Sequence, residues 1–93
     1  MKLLTTVDDS LEIQGRGCWI LLAMWTSDLR LRQKDKIQLR RLGGEILNTY
    51  VDSIERAHGP VVGVRLTIGL PHGITKEEVP TGTEVWLDSQ EKP

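Results

Sequence analysis

Ninety-three residues, 39% hydrophobic and 27% charged with a net charge of −1, fit one small soluble domain and exclude wholesale disorder. The single cysteine, Cys18, excludes an internal disulfide and fits a reducing cytoplasm, where its ordinary role is that of a small buried hydrophobe. With no phenylalanine, three tryptophans and one tyrosine, aliphatic side chains must fill most of the core.

Leu3 to Val7 is a short extended segment, ended by Asp8-Asp9-Ser10, whose side chains favour turns by bonding to nearby backbone. Leu11 to Gln14 alternates at period two, as a half-buried strand does. Gly15 and Gly17 bracket Arg16, which predicts a sharp bend needing backbone angles that other residues avoid. Trp19-Ile20-Leu21-Leu22-Ala23-Met24-Trp25 is apolar on both faces. A strand buried on both sides and a short buried helix both fit; the glycines before it and Thr26-Ser27-Asp28 after it favour the strand.

Asp35 to Leu42 alternates again, with Ile37 and Leu39 on one face and Lys36, Gln38 and Arg40 on the other. Gly43-Gly44 is a turn. Glu45 to Arg56 is long for one strand, and its apolar side switches near Tyr50 and Val51, which predicts a bulge or bend there. After His58-Gly59-Pro60, the residues Val62, Val64, Leu66 and Ile68 give the cleanest alternation in the chain. Thr75-Lys76-Glu77-Glu78 fits a capping box and predicts a short helical turn near 75–79, stopped by Pro80 and Gly82. A last strand follows, with Val85 and Leu87 inward and Trp86 outward. Residues 1–88 are expected to form one domain, an all-β, small closed antiparallel barrel of about six strands, and 89–93 a flexible tail.

No export or membrane segment is expected: Asp8 and Asp9 interrupt the start, and the run from Cys18 to Trp25 is far short of the roughly 20 residues a membrane helix needs. The expected location is cytoplasmic. Charge is unevenly placed. Arg30, Arg32, Lys34, Lys36, Arg40 and Arg41 stand against Asp28 and Asp35, a local balance of +4, while the rest of the chain carries −5. Such a segment is either the solvated face of a hairpin or a patch that meets phosphate.

The order of these pieces resembles the second domain of elongation factor Tu and its translational GTPase relatives. An extended run with an acidic turn leads into Gly15-Arg16-Gly17 and an apolar strand. Leu31-Arg32-Gln33-Lys34-Asp35-Lys36-Ile37-Gln38-Leu39 is similar to the family's "leucine, basic, x, glycine, aspartate" turn and the strand after it, with Lys34 in place of the glycine. Tyr50 to Arg56, Val62-Gly63-Val64-Arg65-Leu66, and Gly73-Ile74-Thr75-Lys76-Glu77-Glu78-Val79-Pro80-Thr81-Gly82 follow in family order. The chain departs from the pattern at Cys18, at an inserted Leu70-Pro71-His72-Gly73, and in the short loop Ala57 to Val61. The resemblance implies a barrel without its nucleotide-binding domain, acting by binding, with a subunit that works with a GTPase on another chain as an alternative. It also implies contact with the aminoacylated end of transfer RNA near Glu55 and Arg56.

No phosphate-cradling loop exists, so this chain alone is not expected to bind nucleotide or hydrolyse it. Cys18, His58 and His72 have no metal-ligand spacing, and no nucleophile elbow occurs. The expectation is a protein without enzymatic activity, cofactor or metal. Trp19 and Trp25 share strand parity and would face one way if the strand is regular. They either pack or form an aromatic face beside the basic segment, able to stack bases. The candidate partner residues are therefore Trp19, Trp25, Arg30, Arg32, Lys34, Arg40, Arg41, Glu55 and Arg56. An unidentified protein is the favoured partner, docking on the Trp19/Trp25 face; RNA or transfer RNA held by the basic 30–41 hairpin is the alternative.

Overall fold

The first strand organises the rest of the sheet. The computed structural model describes residues 2–25, 31–58 and 64–88. Strand β1 (Lys2–Ile13) runs unbroken through the stretch expected to turn. Its pairing with β2 (Gly17–Trp25) skips a residue between Val7 and Asp9, so Asp8 forms a bulge and not a turn. Ladder bonding on both sides explains the continuity: the Val7 amide donates to the Thr83 carbonyl at 2.8 Å, and the Gly82 amide donates back to Val7 at 2.9 Å. The acidic side chains find local outlets, Asp9 Oδ1 accepting from the Ser10 amide at 2.8 Å.

The bulge divides β1 between two wings. Its first half pairs with β7 (Glu84–Leu87), which pairs with β3 (Lys36–Arg40) and through it with β4 (Ile46–Tyr50). Its second half pairs with β2, then β6 (Val64–Gly69) and β5 (Ser53–His58). All pairs are antiparallel, and the seven strands form one sheet in the order β4-β3-β7-β1-β2-β6-β5.

The expected closure is not made by a hydrogen-bonded ladder. The sheet has two edges, β4 and β5, where a single bent strand over 45–56 was anticipated. The anticipated bend is a full interruption at Val51 and Asp52, which turn their amides away from each other's strands. Val51 donates to the Asp35 carbonyl and Asp52 to the Gly69 carbonyl, each at 2.9 Å. One chain segment thus serves β3 on one side of the corner and β6 on the other.

Inward-facing residues from both wings form one core: Val7, Cys18, Ile20, Leu22, Ile37, Leu39, Leu66, Ile68 and Val85, with Leu31, Val51, Leu70 and Val79 from the connections. Each aliphatic side chain so buried contributes roughly 1.5–3 kcal/mol. The strand alternation of Ile37/Leu39 and Leu66/Ile68 matches the period-two reading. The Gly15-Arg16-Gly17 bend joins β1 to β2 with both glycines at positive φ, 81° and 84°, a region costly for any residue with a Cβ. The helical turn is a short 3-10 segment, Lys76–Glu78, with the Glu78 carboxylate accepting from the Thr75 amide at 2.9 Å. No helix among the described residues is long and apolar enough to cross a membrane. The expected tail, 89–93, lies outside the described residues.

Candidate functional site

The outer face of the β4-β3-β7 wing presents one layer of polar side chains with Tyr50 and Trp86 among them. Strand register sets the rows: Lys36 lies opposite Tyr50, Gln38 between Asn48 and Trp86, and Arg40 between Ile46 and Glu84. Side chains at alternate positions share a face, so all of these point away from the core. The middle of the layer is tied together. Gln38 Nε2 donates to Asn48 Oδ1 at 2.9 Å, and Arg40 Nε donates to Gln38 Oε1. The Arg40 guanidinium lies 4.1 Å from the Trp86 ring centroid, and the Trp86 indole donates to Glu84 Oε1 at 2.9 Å. Half-buried Trp86 is thereby covered on its face and satisfied at its edge.

Beside this network a groove of about 630 Å³ opens along β3 and β4. Lys34, Lys36, Asn48, Tyr50 and Asp88 line it, with Ile37 and Thr49 beneath. Tyr50 is 43% exposed, the only tyrosine in the chain. Lys34 and Lys36 are exposed as well. Two lysines against the single carboxylate of Asp88 leave the lining net positive, and with an open aromatic ring and an amide it suits an anionic ligand that carries a flat ring.

The predicted site residues do not form one surface. Trp19 is only 6% exposed and is not an open aromatic platform. It fills the space above Gly69, where an added Cβ would meet its ring at 3.1 Å, and the Arg16 guanidinium lies 5.8 Å from its centroid. Its indole nitrogen has no hydrogen-bond partner among the described residues. The assumption that Trp25 follows Trp19 on a regular strand meets a register shift between Leu21 and Trp25. The side chains of Trp25 and Arg56, and the whole of Arg30, lie outside the described residues.

The basic segment is divided too. Arg41 pairs with Glu45 at 2.8 Å, and Arg40 lies on Trp86. Arg32 is exposed on the turn before β3, its amide bonded to the Asp35 carboxylate at 2.9 Å. Of the predicted residues that are described, only Lys34 lines the groove. Glu55 is exposed on β5, in the other wing. Lys36 belongs to the basic segment singled out in the sequence, though not to the candidate partner residues; Asn48, Tyr50 and Asp88 were not predicted at all. The outward alternation of Ile46, Asn48 and Tyr50 was a usable signal, but only pairing with β3 sets Tyr50 beside Lys36.

On the outer face of the other wing, Leu11 lies opposite Trp19 and Ile13 opposite Gly17, and these two are 45% and 39% exposed. The inner side is buried. Cys18 is fully buried, and its thiol is pushed up to about 11, first by burial and then by the charges of Glu12, Glu77 and Glu78. Among the described residues no three His, Cys, Asp or Glu side chains come together as a metal site would require. No protein-family model matches this chain, and no curated protein or solved structure matches it.

Proposed function

We propose that the chain is a non-enzymatic binding module that takes single-stranded RNA on the outer face of its β4-β3-β7 wing. The observation that carries this reading is the groove that exposed Tyr50, opposite Lys36 in the ladder, lines together with Lys34, Asn48 and Asp88, two cations against one carboxylate. A base stacked on an aromatic ring gains roughly 1–3 kcal/mol whatever its identity, and lysines beside it meet the flanking phosphates. The resemblance to the second domain of translational GTPases is kept as part of the proposal. The covalent corner at Val51-Asp52 supports it, because this corner joins the sheet's two edges where no ladder does. A cytoplasmic setting, and a GTPase acting from another chain, belong to the same reading.

Fluorescence-polarisation titration of labelled oligouridine and of transfer RNA, at two salt concentrations, tests it. Micromolar binding that weakens with salt and falls at least fivefold in Tyr50→Ala is the expected result. Absence of binding at low salt overturns the reading. The second reading is a protein-docking module, which exposed Leu11 and Ile13 beside Trp19 favour; Leu11→Ser with Ile13→Ser would then abolish co-purification of a partner and leave the oligonucleotide titration unchanged.

A further inference from the structure

Among the described residues Lys34 is the one non-glycine with a positive φ, 76°. The left-handed region crowds Cβ against the following carbonyl, a cost from which glycine is free. The conformation is held from several sides. The Lys34 amide donates to the Val51 carbonyl at 2.6 Å, and the Asp35 carbonyl accepts from the Val51 amide at 2.9 Å. The Asp35 carboxylate accepts from the Arg32 amide at 2.9 Å, and Gln33 Nε2 donates to the Asp52 carbonyl at 2.8 Å. These bonds fasten the turn to the corner between β4 and β5. Glycine at position 34 would satisfy every one of them with less strain, since none uses the lysine side chain. Lys34 instead is exposed and lines the groove with Lys36 and Tyr50, two lysines there outnumbering the one carboxylate, Asp88.

Strain kept at a position that borders a cavity, by bonds indifferent to the side chain, points to a use for that side chain. We infer that Lys34 is a phosphate-binding residue, held in the left-handed conformation so that its ammonium and that of Lys36 grip the phosphate next to the base stacked on Tyr50. This rests on the RNA reading above and assigns within it the contact that the turn exists to aim. It carries a signature that a purely structural lysine lacks: replacement by glycine should move stability and binding in opposite directions.

The experiment uses the full chain and a fluorescein-labelled 12-nucleotide oligouridine. Lys34→Gly is expected to raise the melting temperature by about 4 °C, as relief of one strained residue does in a domain of this size. Its affinity should fall about fivefold, and the slope of log K against log salt should flatten by about 0.7, the share of one phosphate contact on a single strand. Lys34→Asn, whose residue tolerates the left-handed region, should lose the same affinity without loss of stability. Lys36→Ala should weaken binding with no rise in melting temperature. If the parent protein binds and Lys34→Gly binds as tightly with the same salt slope, Lys34 is only a turn residue and the inference fails alone. If the parent does not bind at low salt, the RNA reading fails first and this inference with it.

Discussion

Each wing of the sheet sets an arginine over a tryptophan on its outer face, and the two pairs serve different ends. Arg40 lies 4.1 Å from the Trp86 centroid, is bonded to Gln38, and belongs to a chain of polar contacts running from Glu84 to Asn48. Arg16 lies 5.8 Å from Trp19, whose ring is pressed against Gly69 and buried. The local partner decides which role a tryptophan takes. A missing side chain at Gly69 lets one ring lie flat into the wall, whereas the neighbours of Trp86 on β3 and β7 are polar and long enough to fasten it in place. The contrast explains why one outer face offers a polar groove and the other a small apolar surface.

Truncating the two rings separates the roles most sharply. Trp19→Ala should cost about 3–5 kcal/mol, the range for a large buried aromatic, and Trp86→Ala about 1–2 kcal/mol, as a half-buried ring under a cation should. Urea denaturation measures both, and equal costs would erase the distinction.

The burial of Cys18 and the carboxylates facing it can be titrated. Cys18 ionises near pH 9 in the unfolded chain and about 11 in the folded one. Between those values the unfolded state has lost the proton and the folded state keeps it, so stability present below pH 9 drains away as pH rises. The expected decline, relative to Cys18→Ala over the same range, is roughly 1.4 kcal/mol per pH unit. Parallel curves for the two proteins would mean that the thiol is wetter than its burial indicates.

Gly69→Ala tests the wall from the other side. The new Cβ would sit 3.1 Å from the Trp19 ring and 3.2 Å from the Ser53 Cβ, and a loss of about 1–2 kcal/mol is expected from such overpacking. An unchanged denaturation midpoint would show that the ring has room to move. Smaller still is the coupling within the pairs. A double-mutant cycle of Arg40→Met with Trp86→Leu should return about 0.5–1 kcal/mol, more than the same cycle at Arg16 and Trp19. The Arg41–Glu45 pair, exposed on its Glu45 side, sets the floor, since Glu45→Gln should change stability by less than about 0.5 kcal/mol.

Much of the fold was legible because inward faces repeat at period two. Ile37 with Leu39, Leu66 with Ile68, and the capped turn at 76–78 all fall where the pattern puts them. Asp8-Asp9-Ser10 misled because turn-forming residues also suit a bulge, and only the backbone of residues 82 and 83, far along the chain, decides between the two. The break at Val51-Asp52 was visible as a change of face, but not as the end of pairing, which depends on Asp35 and Gly69. The site was the least legible part. A run of basic residues says nothing about which cations are already occupied, and here Arg40 and Arg41 are engaged by Trp86 and Glu45. The family pattern, with a glycine where Lys34 stands, did signal a glycine-like angle there, but not that the position lies at the rim of a groove.

The placement of β7 bears on how the molecule is made. This strand lies between β3 and the first half of β1, and it alone joins the two wings on that side. Lys2 to Thr6 wait for residues 84–87, a sequence separation close to the full length of the chain. During synthesis the β1-β2-β6-β5 half is complete some twenty residues earlier, yet the other half keeps an unfilled slot flanked by two bare strand edges. Closing so long a loop is slow. Until residues 84–87 are available, the facing edges of β1 and β3 stay unpaired and open to mispairing, and a truncation shortly before Glu84 is expected to leave them so.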